Sequence, residues 1–147
     1  MNGDIEMYFV DKQLLIERLD YIEHLSRELP DVNGYALERV CHMLIEATVD
    51  VGNMIIDGFI LRDPGSYSDV MDIMATEKVI SDEKRDIIVK TFEWRNTLLR
   101  EYTSIDHKAL KEDFKDALDT YAKFKVDVYQ FFETENQAIT AFGQKHD

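Results

Sequence analysis

The chain has 147 residues, of which 45% are hydrophobic and 32% are charged, and 17 basic residues against 30 acidic ones give a formal net charge of -13. This composition is typical of a folded globular protein and argues against a disordered one. The acidic balance argues against broad binding to DNA or to an anionic membrane surface, because both require a basic surface, although a local arginine pocket can still contact RNA.

Two long helices are predicted in the first part of the chain. Asp11 is a good N-cap for the first, which is expected to run to about Glu28. The second is expected over about 35–57, with Gly58 at the position of a C-terminal stop. Apolar side chains recur every three or four residues and predict the buried faces of both helices: Leu15, Leu19, Ile22, Leu25 and Leu29, then Leu37, Val40, Cys41, Leu44, Thr48, Val51 and Ile55.

Three further helices are predicted after a proline- and glycine-containing loop. A short one covers about 67–77 and can be capped by Ser66. Ser81 can cap a longer helix over about 82–103, and Asp106 can cap the last one. Because the connections are short, the expected fold is all-α: an antiparallel four-helix bundle with one additional short helix.

Several kinds of site lack their sequence pattern. No glycine-rich loop follows a strand, and the histidines do not cluster with cysteine in the manner of zinc ligands. We therefore expect no cofactor and no metal. Cys41 lies on the predicted buried face of the second helix, which favours a role in core packing.

The chain is expected to be one domain over residues 1–147 in a reducing, cytoplasmic compartment. A single cysteine cannot form an internal disulfide. No apolar run approaches the roughly 20 residues that span a bilayer, and the first residues lack the pattern of a signal peptide.

A polar stripe lies opposite the apolar face of the second helix, and two interpretations of it stay open. It is either a solvated, salt-bridged face, or Asp50 or Asn53 faces a neighbouring helix and orients an arginine there. A metal site at its first three members is a further alternative, although one helix face offers an incomplete coordination shell. The stripe consists of His42, Glu46, Asp50, Asn53 and Asp57.

Residues 93–102, EWRNTLLREY, place two arginines and a tyrosine close together. On a straight helix Arg95 and Tyr102 lie within roughly 20° of each other, whereas Arg100 lies about 140° from Arg95. The arginines converge only if the helix frays or kinks near Arg100, or if a second subunit brings the faces together. Guanidinium groups bind phosphate with paired hydrogen bonds and keep their charge. The segment is either a salt-bridged surface helix or a phosphate site.

This segment resembles a motif of the HepT-like proteins of the HEPN superfamily, in which an arginine is followed after four to six residues by His-x-Tyr. Arg95, Asn96 and Tyr102 match the motif, and an Ile-Asp pair follows as it commonly does in the family. Residues 36–56 resemble the family's second helix, and residues 63–81 resemble its loop and short helix. The likeness is greatest to the YutE-type branch of Gram-positive bacteria.

The resemblance implies a HEPN-like all-α homodimer that acts as a toxin-type, metal-independent ribonuclease on RNA such as tRNA. It also implies a partner, an MntA-like nucleotidyltransferase antitoxin that transfers AMP to the motif tyrosine. Carried over by position, Arg95 would hold the scissile phosphate, Asn96 would support it, and Tyr102 would be the modified tyrosine. The family's active site combines the arginine and histidine of both subunits.

One departure separates the chain from the family pattern, because Arg100 occupies the position of the histidine. Histidine can donate or accept a proton near neutral pH, whereas arginine is permanently protonated and cannot act as a base. His107, the nearest histidine, lies beyond the predicted helix end and is not expected to replace it.

Three functional hypotheses stay open. The first is a ribonuclease that uses Arg95 and Arg100 to stabilise charge in the transition state. The second is a non-catalytic helical dimer that binds RNA, a nucleotide or a protein through the pocket of Arg95, Arg100 and Tyr102. The third is a helical interaction protein in which the motif is structural.

Overall fold

A computed structural model describes residues 10–146 of the chain, with side chains described for residues 10–136. No strand occurs in the described part, so the prediction of an all-α fold is confirmed. A 3₁₀ turn over Leu29–Asp31 connects the first two helices. The α-helices are α1 (Lys12–Glu28), α2 (Gly34–Gly58), α3 (Tyr67–Thr76), α4 (Asp82–Thr91), α5 (Glu93–Arg100), α6 (His107–Asp116) and α7 (Leu118–His146).

Four helices begin where the sequence predicts, because the expected capping side chains are in place. The side chains of Asp11, Ser66, Ser81 and Asp106 each accept a hydrogen bond from the backbone N–H three residues later, at 3.0–3.1 Å. Each bond satisfies one of the N–H groups that the first turn of a helix leaves without a partner. Local sequence therefore fixes these boundaries.

The prediction of a single helix over 82–103 is wrong in two respects. This segment is divided into α4 and α5, and α5 ends at Arg100. At the division, the N–H of Phe92 bonds to the carbonyl of Val89 at 3.0 Å, and the N–H of Arg95 bonds to the carbonyl of Phe92 at 3.1 Å. These are three-residue steps of 3₁₀ type within an otherwise α-helical path. The break lies before Arg95, so Arg95 and Arg100 share one helix.

The last predicted helix is divided in the same way, into α6 and α7. The N–H of Ala117 bonds to the carbonyl of Phe114 at 3.2 Å, and Ala117 itself is buried. Leu110, Phe114 and Tyr121 lie in the core on both sides of this division. The bundle is therefore built as expected, but from more and shorter segments.

Helix α2 is the centre of the fold and packs against α1, α3, α5 and α6. All seven residues predicted for its apolar face are buried. Cys41 is among them, fully buried and free of any disulfide, and burial raises the pKa of its thiol to about 12. A thiol with so high a pKa is almost entirely protonated at neutral pH, so Cys41 is a packing residue and not a nucleophile.

Two glycines of α2 allow close approach of neighbouring segments. A Cβ atom at Gly52 would overlap Cγ1 of Val70, so the glycine lets α3 lie directly against α2. A Cβ atom at Gly58 would overlap Cγ2 of Val10 in the same way. Helix α2 does end at Gly58 as predicted, but the residue in the left-handed conformation after it is Ile60, with φ of 54°.

Candidate functional site

Helix α5 carries the arginine motif and is held in place by its apolar and aromatic side chains. Leu98 is buried, and Trp94 donates a hydrogen bond from Nε1 to Oδ2 of Asp113 on α6 at 2.8 Å. Leu99, next to it, is 41% exposed. These contacts fix the rotation of α5, so that Arg95 points towards α2 and α3.

Arg95 is positioned by contacts to two other helices. Its Nε lies 3.4 Å from Oε1 of Glu46 on α2, and its guanidinium carbon lies 4.5 Å from the centre of the Tyr67 ring on α3. A cation over an aromatic face is attracted by the negative charge density of the ring. The terminal nitrogens of Arg95 make no hydrogen bond within the described residues, and 39% of the side chain is exposed. A phosphate could therefore bind to them.

Tyr67 is the aromatic support of this arginine. Its ring meets the Phe92 ring edge-on, with centroids 6.2 Å apart and planes at 76°. Burial raises the pKa of the Tyr67 hydroxyl above its ordinary value, and the nearby carboxylate of Glu46 raises it further. Tyr67 is therefore a neutral phenol at physiological pH, and the charge of the site is set by Arg95 and Glu46.

His42 and Glu46 form a partly buried pair one helical turn apart on α2. Nε2 of His42 lies 3.5 Å from Oε1 of Glu46, and each side chain is 23% exposed. Within the described residues Nε2 of His42 is buried without a hydrogen-bond partner, whereas the Glu46 carboxylate also faces the hydroxyl of Tyr67. Unpaired buried polar atoms are rare in folded proteins because each costs about 1–3 kcal/mol. The pair thus leaves Nε2 of His42 able to take a further polar partner.

The rest of the polar stripe lies nearer to solvent. Oδ2 of Asp50 is 4.0 Å from Nε of Arg18 on α1, so Asp50 faces an arginine other than Arg95. Asn53 is half-buried and makes no hydrogen bond or ion pair within the described residues. In the part of the chain whose side chains are described, no group of three His, Cys, Asp or Glu side chains could hold a metal ion.

The other motif residues lie away from this cluster. Arg100 is the last residue of α5 and is exposed, as are Asn96 and Tyr102, the latter at 66%. No kink separates Arg95 from Arg100, so their side chains leave α5 about 140° apart. Within one chain the structure therefore does not bring the two arginines together.

His107 also pairs with a glutamate of α2. It is the first residue of α6, and its Nε2 lies 2.6 Å from Oε2 of Glu38. Glu38 is two helical turns from Glu46 along α2, which places His107 beside a different part of that helix from Arg95. His42 lies between the two glutamates but faces Glu46.

A charged clamp orders the loop that precedes Tyr67. Both terminal nitrogens of Arg62 donate to the carboxylate of Asp69 at 2.7 Å, and the N–H of Gly65 donates to the same carboxylate at 2.9 Å. The Arg62 hydrogen bonds, followed by that from Gly65, lower the pKa of Asp69 to about 2. The clamp therefore depends on an ionised carboxylate.

Asp69→Asn is expected to lower stability at pH 7, and the difference from wild type is expected to shrink in acid. Because the folded-state pKa lies below the unfolded value of roughly 3.9, the carboxylate stabilises the fold above pH ~4, and this contribution is lost as pH falls towards about 2. Urea unfolding of both proteins at pH 7 and in acid measures the difference. If the difference in unfolding free energy between the two proteins does not change with pH, the charge of Asp69 is not what stabilises the clamp.

Two of the residues around Arg95 were not identified from sequence as its partners. Tyr67 was assigned only to the start of a short helix, and Glu46 only to the polar stripe. The one available signal was the four-residue spacing of His42, Glu46 and Asp50, which places them on one face of α2.

Comparison with known proteins agrees with this architecture. Residues 16–128 match the family described as "Ribonuclease HepT-like". The chain is 36% identical over 143 residues to a Bacillus subtilis (strain 168) protein described as "Putative RNase YutE", covering 92% of this chain and 99% of that protein.

A solved structure gives the same result for the fold. The "Cytosolic Protein of Unknown Function YutE" from Bacillus subtilis matches with a TM-score of 0.82 at 36% identity, covering 88% of this chain and 95% of that one. Among the described residues, no helix has the length and apolar character needed to cross a membrane. The chain belongs to the HepT-like ribonuclease family and has its all-α HEPN-like fold.

Proposed function

We propose that the protein is a metal-independent endoribonuclease and that Arg95 binds the scissile phosphate. The observation that carries the proposal is the state of Arg95, whose Nε faces Glu46 while its terminal nitrogens have no partner in the described chain. Two parallel N–H donors match the oxygens of a phosphate. Tyr67 and Glu46 hold the guanidinium in place before substrate arrives, which is the condition for effective charge stabilisation in a transition state.

The proposed active form is a homodimer. Arg100 leaves α5 in a different direction from Arg95, so a single chain presents only one of the two arginines at the Glu46 side. A second copy that packs against α5 would add cations from the other chain, with Asn96 beside Arg95 in support. The overall charge of -13 disfavours non-specific RNA binding, so recognition is proposed to rest on this local site.

A nucleotidyltransferase of the MntA type is the proposed partner, in a toxin–antitoxin arrangement in the cytoplasm. Tyr102 is the proposed acceptor of AMP, because it is 66% exposed and follows the end of α5 closely. An AMP group there would place a negative charge near Arg100 and would compete with RNA phosphate for the cations of the site.

The experiment that tests the activity is cleavage of bulk tRNA by purified protein in EDTA, with wild type and Arg100→His compared. We expect the wild type to cleave and Arg100→His to cleave faster, because an imidazole can transfer a proton whereas a guanidinium cannot. Thermal unfolding of both proteins controls for folding. Wild type and variant both inactive, although folded, would contradict the ribonuclease proposal.

The second candidate is a non-catalytic dimer that binds RNA, a nucleotide or a protein through the same pocket. The permanent charge of Arg100 favours it, since binding does not require proton transfer. RNA that is retained by the wild type but not cut, with cleavage appearing only in Arg100→His, would identify this case.

A further inference from the structure

We infer that His42 is the catalytic base of this site, oriented by Glu46, and that it accepts the proton of the RNA 2′-hydroxyl. This inference rests on the proposed ribonuclease function and adds the residue that transfers the proton. It follows from the geometry around Arg95, where the side chains of α2 meet α5.

Arg95 binds phosphate but cannot act as the base. Cleavage through the 2′-hydroxyl requires a group that takes up a proton near neutral pH, and a guanidinium does not. Glu46 touches Arg95 through Oε1, and the same oxygen lies 3.5 Å from Nε2 of His42. Among the histidines whose side chains are described, His42 is the one that shares a partner with Arg95.

The state of the pair also fits proton transfer. Nε2 of His42 is buried and makes no hydrogen bond within the described residues, although Oε1 of Glu46 lies 3.5 Å from it. A carboxylate beside one ring nitrogen orients the imidazole and leaves the other nitrogen, here Nδ1, to exchange a proton with substrate. The side chain keeps 23% of its surface exposed, which leaves a path to solvent and substrate.

Charged and titratable groups linked to the His42–Glu46 pair or to its turn of α2 lie on α2, α3, α5 and α6. On α2, Glu38 and Glu46 lie one turn before and one turn after it. Helix α5 contributes Arg95 through Glu46, α3 contributes Tyr67, and α6 contributes His107, which is engaged by Glu38. Glu46, which His42 faces, would stabilise the imidazolium that forms when His42 takes the proton.

The reaction balances without a further reagent. The 2′-oxygen forms a bond to phosphorus while its proton moves to Nδ1 of His42, and the bond from phosphorus to the 5′-oxygen breaks. Water protonates the leaving 5′-oxygen, and the imidazolium returns its proton to the hydroxide that remains. The products are a 2′,3′-cyclic phosphate and a 5′-hydroxyl, and Arg95 binds the charged phosphate throughout.

The test measures cleavage of a defined RNA in EDTA against pH for wild type, His42→Gln and His107→Gln. The last is the matched control, since it also removes a histidine paired with a glutamate of α2. We expect His42→Gln to cleave about 10²- to 10⁴-fold more slowly than wild type and to lose the change of rate with pH that a general base produces. The cleavage rate of His107→Gln is expected to stay within about threefold of wild type. Imidazole added to His42→Ala is expected to restore part of the rate.

Several outcomes would overturn the inference. One is a His42→Gln protein that cleaves within about threefold of wild type; another is a slower one that keeps the wild-type pH profile, which would mark a structural role. Loss of cleavage in His107→Gln but not in His42→Gln would assign the base to His107 on α6. Thermal unfolding confirms that each variant is folded. If the wild-type protein does not cleave RNA, both the proposed ribonuclease function and this inference are wrong. If His42→Gln cleaves RNA while Arg95→Ala does not, only the inference about His42 is wrong.

Discussion

Arg95→Ala is expected to lower the rate of RNA cleavage in EDTA by about 10²- to 10³-fold, the loss typical of removing one preorganised donor that stabilises transition-state charge. The reason is local, because the terminal nitrogens of Arg95 are the donors near Glu46 and Tyr67 that remain free for a phosphate. Arg95→Lys is expected to lose less, since it keeps the charge but not the paired donors. Initial rates on a defined RNA measure both.

Arg85→Ala is the matched control for this experiment. Arg85 is also a partly exposed arginine, but it is engaged by Asp72 and Asp86, away from Glu46. Its replacement is expected to leave the cleavage rate within about threefold of wild type, because it makes no contact with the site. Equal losses in the two variants would show that global charge, and not the position of Arg95, governs activity.

Thr91→Val is expected to lower the free energy of unfolding by about 1–3 kcal/mol, because it leaves the hydroxyl of Tyr121 buried without an acceptor. Thr91 Oγ1 donates to the carbonyl of Ile88 at 2.6 Å, so the 2.7 Å contact with Tyr121 has the tyrosine as donor. Tyr121 is fully buried, and burial raises the pKa of its hydroxyl. Urea unfolding measures the change.

The double variant Thr91→Val, Tyr121→Phe separates this cause from loss of packing. We expect it to be more stable than Thr91→Val alone, since both members of the hydrogen bond are then apolar. Thr91 is the last residue of α4, immediately before the step that begins α5, so the single variant is expected to lose some cleavage as well. A double variant no more stable than Thr91→Val would contradict the account.

The sequence was sufficient for the fold class and for most helix boundaries because both depend on local chemistry. The capping side chains of Asp11, Ser66, Ser81 and Asp106 act within one turn, and the apolar stripes follow directly from helical spacing. The division at Phe92 was missed, since three-residue hydrogen-bond steps need neither glycine nor proline and leave no mark in the sequence.

The candidate site was predictable only in part. The resemblance to the HepT-like family selected Arg95, but its partners Glu46 and Tyr67 come from two other helices, and their meeting depends on how α2, α3 and α5 are rotated against one another. Gly52 contributes to that arrangement by admitting α3 close to α2. Such contacts between distant segments have no local signal. The pairing of His42 with Glu46 follows from spacing, whereas its burial beside Arg95 does not.

The most direct test of the central claim is mass spectrometry of the fragment ends after wild-type protein has cut a defined RNA in EDTA. Cleavage through the 2′-hydroxyl without a metal predicts fragments that end in a 2′,3′-cyclic phosphate and begin with a 5′-hydroxyl. Fragments with 3′-hydroxyl and 5′-phosphate ends, or intact RNA after incubation with folded protein, would contradict the assignment of Arg95 and His42 to a metal-independent ribonuclease site.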